Sequence, residues 1–258
     1  GLTSITIPDS VNSIGSNAFF NTGYYNNASN WKYGVLYIGK HLIEARDGIS
    51  GSYEIKPGTL TIAHFAFSSC RDLTSISIPD SVTSIGSYAF SYCTGLTSIT
   101  IPDSVTSIGS YAFDHCARLT SITIPDNVAR IGENPFSCCS SLISIQVDEN
   151  NTDFHSDGNC LIKTATKTLI AGCKTSIIPT DGSVTSIGDR AFLGCTSLTS
   201  IAIPDSVTSI GDRAFSSCES LTSITIPDSV IRIGVIAFAY CTSLTIKCRA
   251  ASQPSGWA

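Results

Sequence analysis

The sequence predicts an α/β solenoid: a stack of 23-residue coils, each made of short strands, turns and helical turns. Three observations carry this. A unit beginning at Leu96 recurs at Leu73, Leu119, Leu198 and Leu221, with partial copies at Leu2, Leu142 and Leu244. Phenylalanine keeps the same spacing at Phe67, Phe90, Phe113 and Phe136, and again at Phe192, Phe215 and Phe238. Cysteine does so at Cys70, Cys93, Cys116 and Cys139, then at Cys195, Cys218 and Cys241. Self-similarity at a period of this size is the signature of stacked supersecondary units, none of which can bury its apolar face alone.

Each element of one coil follows from local chemistry. Leu96-x-x-Ile99-x-Ile101 alternates at its end, which predicts a short strand with Ile99 and Ile101 inward. Pro102-Asp103-Ser104 then turns the chain, because proline cannot donate to a ladder and Asp and Ser hydrogen-bond their own backbone. Val105-x-x-Ile108-Gly109 predicts a second extended stretch. Ala112-Phe113-x-x-Cys116-x-x-Leu119 has helical spacing and predicts one or two helical turns.

Composition narrows the function classes. The 258 residues are 42% hydrophobic and 14% charged, enough apolar material for a sizeable core and too little charge for a disordered chain. Net charge is −5 with no basic run, so nothing points to nucleic acid. No apolar run is long enough to span a bilayer, which predicts no membrane insertion. Gly1-Leu2 reads like Gly95-Leu96 in mid-repeat and Met is absent, so the chain reads as an excised piece.

The residues Leu-Thr-Ser-Ile-Thr-Ile-Pro-Asp-Ser-Val-Thr-Ser-Ile-Gly-Ser-Tyr-Ala-Phe, 96–113, resemble the BspA-like leucine-rich repeats of bacterial surface proteins. The match covers the regular units, roughly two-thirds of the chain by the 23-residue period. The resemblance implies a right-handed leucine-rich-repeat solenoid with a parallel sheet on its inner face. It implies a secreted or surface-attached protein used in adhesion, with host matrix or cell-surface proteins as partners. It carries over no catalytic residue.

Two segments break the period, about 20–60 and about 147–180. In the first, Gly34-Val-Leu-Tyr-Ile38 is followed by Leu42-Ile-Glu-Ala45; in the second, Gly158-Asn-Cys-Leu-Ile162 is followed by Leu169-Ile-Ala-Gly172. Each reads as a hairpin-like variant coil within one continuous solenoid over 1–258. The polar stretch over about 245–258 reads as a C-terminal cap.

Several columns are weighed for chemistry. Cysteine recurs once per coil without the clustering that tetrahedral zinc needs, so it reads as buried thiols. Cys160 and Cys173 sit across the second hairpin, where a disulfide is the alternative. Asp9, Asp80, Asp103, Asp126, Asp205 and Asp228 follow proline in every case and read as turn residues rather than calcium ligands. His41, His64, His115 and His155 show no metal spacing, and no nucleophile, base and orienter stand out. Enzyme activity, cofactor and metal are therefore not expected. The binding surface is sought in two places. Ser98 and Thr100 face outward if Ile99 and Ile101 face in. Tyr24, Tyr25, Trp31, Tyr33, Tyr37 and Tyr53 crowd the first interruption, and Tyr88, Tyr92 and Tyr111 lie on the coils that follow. Tyrosine and tryptophan anchor protein interfaces and stack on sugars. The leading expectation is a protein-binding adhesion module. The alternative is a carbohydrate-associated module using the aromatic residues of the first variant unit, in which Trp31→Ala abolishes binding and spares the fold.

Overall fold

The computed structural model describes residues 1–46 and 48–249, together with the backbone of 256–257. The chain divides into two compact units, Gly1–Ala117 with Asn127–Pro135, and Arg118–Asp126 with Phe136–Ala258. Each unit is a β-solenoid of stacked coils with parallel sheets and almost no helix.

In the first unit a seven-stranded sheet starts with an antiparallel meander, Trp31–Lys32, Val35–Ile38 and His41–Ala45. His41–Ala45 then pairs parallel with Thr61–Ile62, which leads through Ser84–Ile85 and Ser107–Ile108 to Arg130–Ile131. The second unit repeats the plan. Phe154–Asp157, Cys160–Lys163 and Thr168–Ala171 form the meander, and Ser186–Ile187, Ser209–Ile210, Arg232–Ile233 and Gly256–Trp257 follow in parallel. The variant coils are thus hairpins that begin each sheet, each with one strand more than the sequence pattern revealed.

The long sheets belong to the second extended stretch of the coil, the Ser-Ile before Gly. The first stretch makes only smaller ladders: Gly51–Glu54, Leu73–Ser77 and Ser98–Ile99; Ser121–Ile124 with Ser144–Val147; Ser223–Ile226 with Thr245–Cys248. The chemistry of the two stretches explains the difference. The first runs into proline, which has no N–H to continue a ladder. The second ends in a glycine that lets coils close up: a Cβ at Gly109 would lie 2.3 Å from the Ser87 backbone nitrogen.

The third segment corrects the expected helical turns: it is a ribbon of turns. In the coil that holds Phe90, every second amide closes a turn within the coil: Ala89 to Gly86, Ser91 to Tyr88 and Cys93 to Phe90. The amides between them donate to the next coil, Tyr88 to Ser110, Phe90 to Ala112 and Tyr92 to Asp114, and Tyr111 and Phe113 do the same one coil on. Left-handed residues punctuate the ribbon, Tyr88 at φ 57° and Tyr92 at φ 59°, and a left-handed residue ends any α-helix. The apolar spacing resembles a helix because turns also repeat about every three residues. Alternate amides, however, are spent between coils.

The core is the set of columns read from the sequence. Phe67, Phe90 and Phe113 are fully buried, as are Phe192 and Phe215, and their rings stack at 5.0–5.5 Å within each unit. Ile99, Ile101, Val105 and Ile108 are buried. Thiols of the cysteine column do more than fill space. Cys93 donates to the Phe67 carbonyl at 3.1 Å, Cys218 to Phe192 at 3.2 Å and Cys241 to Phe215 at 3.0 Å. These S–H groups tie one coil to the one before, a role that composition does not disclose. Burial pushes the Cys93 and Cys195 thiols well up and the Cys160 thiol up to about 12. Cys160 and Cys173 are both buried and unbridged. The C-terminal cap lies partly outside the described residues; Thr245–Cys248 continues the repeat as an exposed strand.

Candidate functional site

The first variant coil gathers its tyrosines around a hollow of about 720 Å³. Tyr24, Tyr33, Tyr37 and Tyr53 line it, with Lys32, Lys56 and Glu54 at its rim. Tyr24 sits on a short helix, Gly23–Asn26, whose N-cap Thr22 accepts from the Tyr25 amide at 3.1 Å. Its hydroxyl donates to the Tyr37 carbonyl at 3.1 Å. Tyr33 and Gly34 have φ of 50° and 79°, the paired left-handed residues that a tight hairpin turn requires. Tyr33 therefore stands at a hairpin tip and is 95% exposed. Tyr53 rests its ring on buried Phe67 at 5.6 Å and shares a hydrogen bond with the Tyr37 hydroxyl at 3.2 Å. Burial and that neighbour raise the Tyr53 phenol, so it stays neutral.

Tyr25 and Trp31 turn the other way. Trp31 is buried at 8% exposure, donates its indole N–H to the Tyr25 carbonyl at 2.8 Å, and carries the Arg46 guanidinium 4.0 Å above its ring. Tyr25 meets Trp31 edge to face at 5.2 Å and donates to Glu44 at 2.8 Å. Burial, then the Glu44 bond, lift its phenol to about 12. Trp31, expected to offer a contact face, is instead buried, with the Tyr25 ring, the Arg46 guanidinium and the Tyr25 carbonyl already against it. Sequence reasoning placed Tyr37 and Tyr53 in the same cluster but not around a cavity; Lys32 and Lys56 were missed.

A second aromatic surface runs along the turn ribbon of this unit. Phe65, Tyr88 and Tyr111 stack in register at 4.6 and 4.8 Å, and Tyr92 stacks on His115 at 4.2 Å. Their left-handed backbone turns these side chains away from the core. Phe65, which the sequence reading passed over, begins the stack; its spacing of 23 from Tyr88 was the available signal. Ser98 and Thr100 are exposed on the first stretch and lie outside both aromatic arrays.

The remaining polar columns lie outside the aromatic arrays. The aspartates after proline are exposed, and the turn closes by bonds such as Val105 N–H to the Pro102 carbonyl at 3.0 Å. Buried His41 bonds Thr61 at 2.8 Å and the Pro8 carbonyl at 3.2 Å, while His155 bonds Thr164 at 3.0 Å. No helix among the described residues is long and apolar enough to cross a membrane.

The family model described as BspA type leucine-rich repeat region matches residues 1–45, 60–168 and 163–248, in six copies. A leucine-rich repeat protein from Eubacterium ventriosum superposes with a TM-score of 0.64 and 23% identity, over 86% of this chain and 72% of that one. One from Bacteroides ovatus gives 0.54 and 29%, over 77% of this chain and 55% of that one. A leucine-rich cell surface protein from Faecalibacterium prausnitzii is 30% identical over 97% of this chain and 80% of that one, with a TM-score of 0.49. No curated protein matches the chain.

Proposed function

The chain belongs to the BspA-type leucine-rich repeat family, and from that premise we propose that it is a cell-surface or secreted adhesion module that binds protein. The observation that carries this reading is the tyrosine-lined hollow held on stacked coils. Aromatic side chains whose backs are fixed by packing lose little freedom on binding and make good anchors. Tyr33, Tyr53, Tyr88, Tyr92 and Tyr111 are the proposed contacts, with Lys32 and Lys56 steering an acidic partner. Host matrix proteins and cell-surface proteins are the proposed partners, and the F. prausnitzii relative described as a cell surface protein supports the location.

The test is binding of the intact chain to purified extracellular-matrix proteins, with Tyr33→Ala as the variant. Losing one anchor of about 2 kcal/mol weakens binding roughly thirtyfold. Melting stays at the parent value, because the Tyr33 ring is almost wholly in solvent. No binding to any matrix protein, or equal binding by the variant, refutes the reading. The second reading, a glycan-binding hollow, is favoured by the open Tyr33 face and requires retention of an oligosaccharide on a glycan array. Tyr33→Ala replaces Trp31→Ala as the variant for this reading too, since Trp31 is part of the core, and the array result separates the two readings.

A further inference from the structure

In the second unit, the stretch Thr199–Ile203 corresponds to strand-forming residues in other coils, yet among the described residues it pairs with no strand. None of its backbone N–H or C=O groups makes a hydrogen bond to another described residue. Its neighbours explain why. On one side the variant coil draws the preceding segment away, with the Ile177 amide bonded to the Gly158 carbonyl at 2.8 Å and Thr175 to the Ile143 carbonyl. On the other side Ser223–Ile226 pairs with Thr245–Cys248, which leaves its opposite edge toward Thr199–Ile203 without a ladder. Between them lies a groove of about 700 Å³, lined by Ile177, Ser200, Ile201, Ile203 and Ile224, with Lys174 at its rim.

Backbone groups beside a packed core are costly to leave unpaired, and Ile201 and Ile203 are both buried. A row of free donors and acceptors along an extended segment is the template that strand addition uses. We infer that this groove takes an extended segment of a partner polypeptide, which adds as a strand along Thr199–Ile203. A strand opposite these residues spans roughly 16 Å. Its inward side chains are β-branched aliphatics, to meet Ile201, Ile203 and Ile224. An acidic residue is placed toward Lys174. Specificity comes from that alternation, and affinity from the main chain. This inference rests on the protein-binding reading above but uses a different surface of the molecule.

The probe is a synthetic octapeptide with the sequence of residues 221–228, Leu-Thr-Ser-Ile-Thr-Ile-Pro-Asp, which forms this strand in a regular coil. Fluorescence anisotropy with the intact chain is expected to show saturable binding, at least tenfold weaker for the peptide N-methylated at alternate amides. Hydrogen exchange is expected to show new protection at the amides of Thr199–Ile203. Ala202→Pro deletes an amide that bonds nothing in the free protein, so it is expected to weaken binding at least tenfold while melting like the parent. Lys174→Glu is expected to weaken binding of the octapeptide, which ends in Asp, severalfold. Unchanged exchange at Thr199–Ile203 under saturating peptide overturns the inference, as does equal binding of the N-methylated peptide. Matrix-protein binding that is lost in Tyr33→Ala while the octapeptide fails to bind overturns only this groove. Octapeptide binding without any matrix-protein binding upholds the groove and removes the proposed partners.

Discussion

Replacing Phe90 by alanine tests the stacked core most directly. The ring is fully buried and lies between Phe67, at 5.5 Å and 9° between planes, and Phe113, at 5.4 Å and 7°. A buried phenylalanine removes about 150–250 Å² from water, worth roughly 4–6 kcal/mol at about 25 cal/mol per Å². Truncation leaves the Cβ and permits some collapse, so a cost of about 3–5 kcal/mol is expected. Neighbouring coils are joined through the same residue, because the Phe90 amide donates to the Ala112 carbonyl at 2.8 Å. Collapse of the cavity therefore pulls on a ladder rather than on one loop. For a chain of this length each kcal/mol moves melting by about 2–4 °C, which gives a fall of roughly 6–20 °C by circular dichroism. Phe90→Leu keeps most of the volume and loses the two ring contacts, so about 1–2 kcal/mol is expected. Phe20→Ala is the control, since its ring is mostly exposed. If Phe90→Ala melts within about 3 °C of the parent, well below that scale, or if Phe20→Ala costs as much, the continuous phenylalanine spine does not hold the coils together.

Three further expectations follow from particular contacts. Trp31→Ala destabilises the first unit by about 3–5 kcal/mol, visible as early melting, and a variant that folds like the parent refutes the placement of Trp31 in the core. Gly109→Ala forces a Cβ onto the Ser87 backbone nitrogen and costs at least about 2 kcal/mol in urea unfolding; a neutral result refutes the close approach of the coils. The folded thiols of Cys93, Cys160 and Cys195 stay protonated where unfolded thiols ionise, so the folded state holds more protons above about pH 8.5. Their contribution is complete below that pH and declines as pH rises toward 12 for Cys160, by up to about 1.4 kcal/mol per unit per thiol. Flat stability between pH 8 and 10, or rapid alkylation of these thiols in the folded protein, contradicts it.

The sequence by itself determined the coil. Its period, its inward phenylalanine, isoleucine and cysteine columns, its proline turns and its two hairpin interruptions were legible because identity recurs every 23 residues and burial imposes the same chemistry on each copy. What it left open depends on which groups from different coils meet. Helical spacing at Ala112, Phe113 and Cys116 could not reveal that alternate amides bond to the next coil, since helices and turn ribbons share that apolar rhythm. Tyr33 and Trp31 are neighbours in a single aromatic run, yet a left-handed turn sends one into solvent while the fold buries the other. The open groove at Thr199–Ile203 was hidden for the same reason, because its residues match the repeat and only the displacement of the adjoining variant coil leaves them unpaired. Local pattern states which side of a coil faces inward; the approach of distant backbone decides which surfaces remain open.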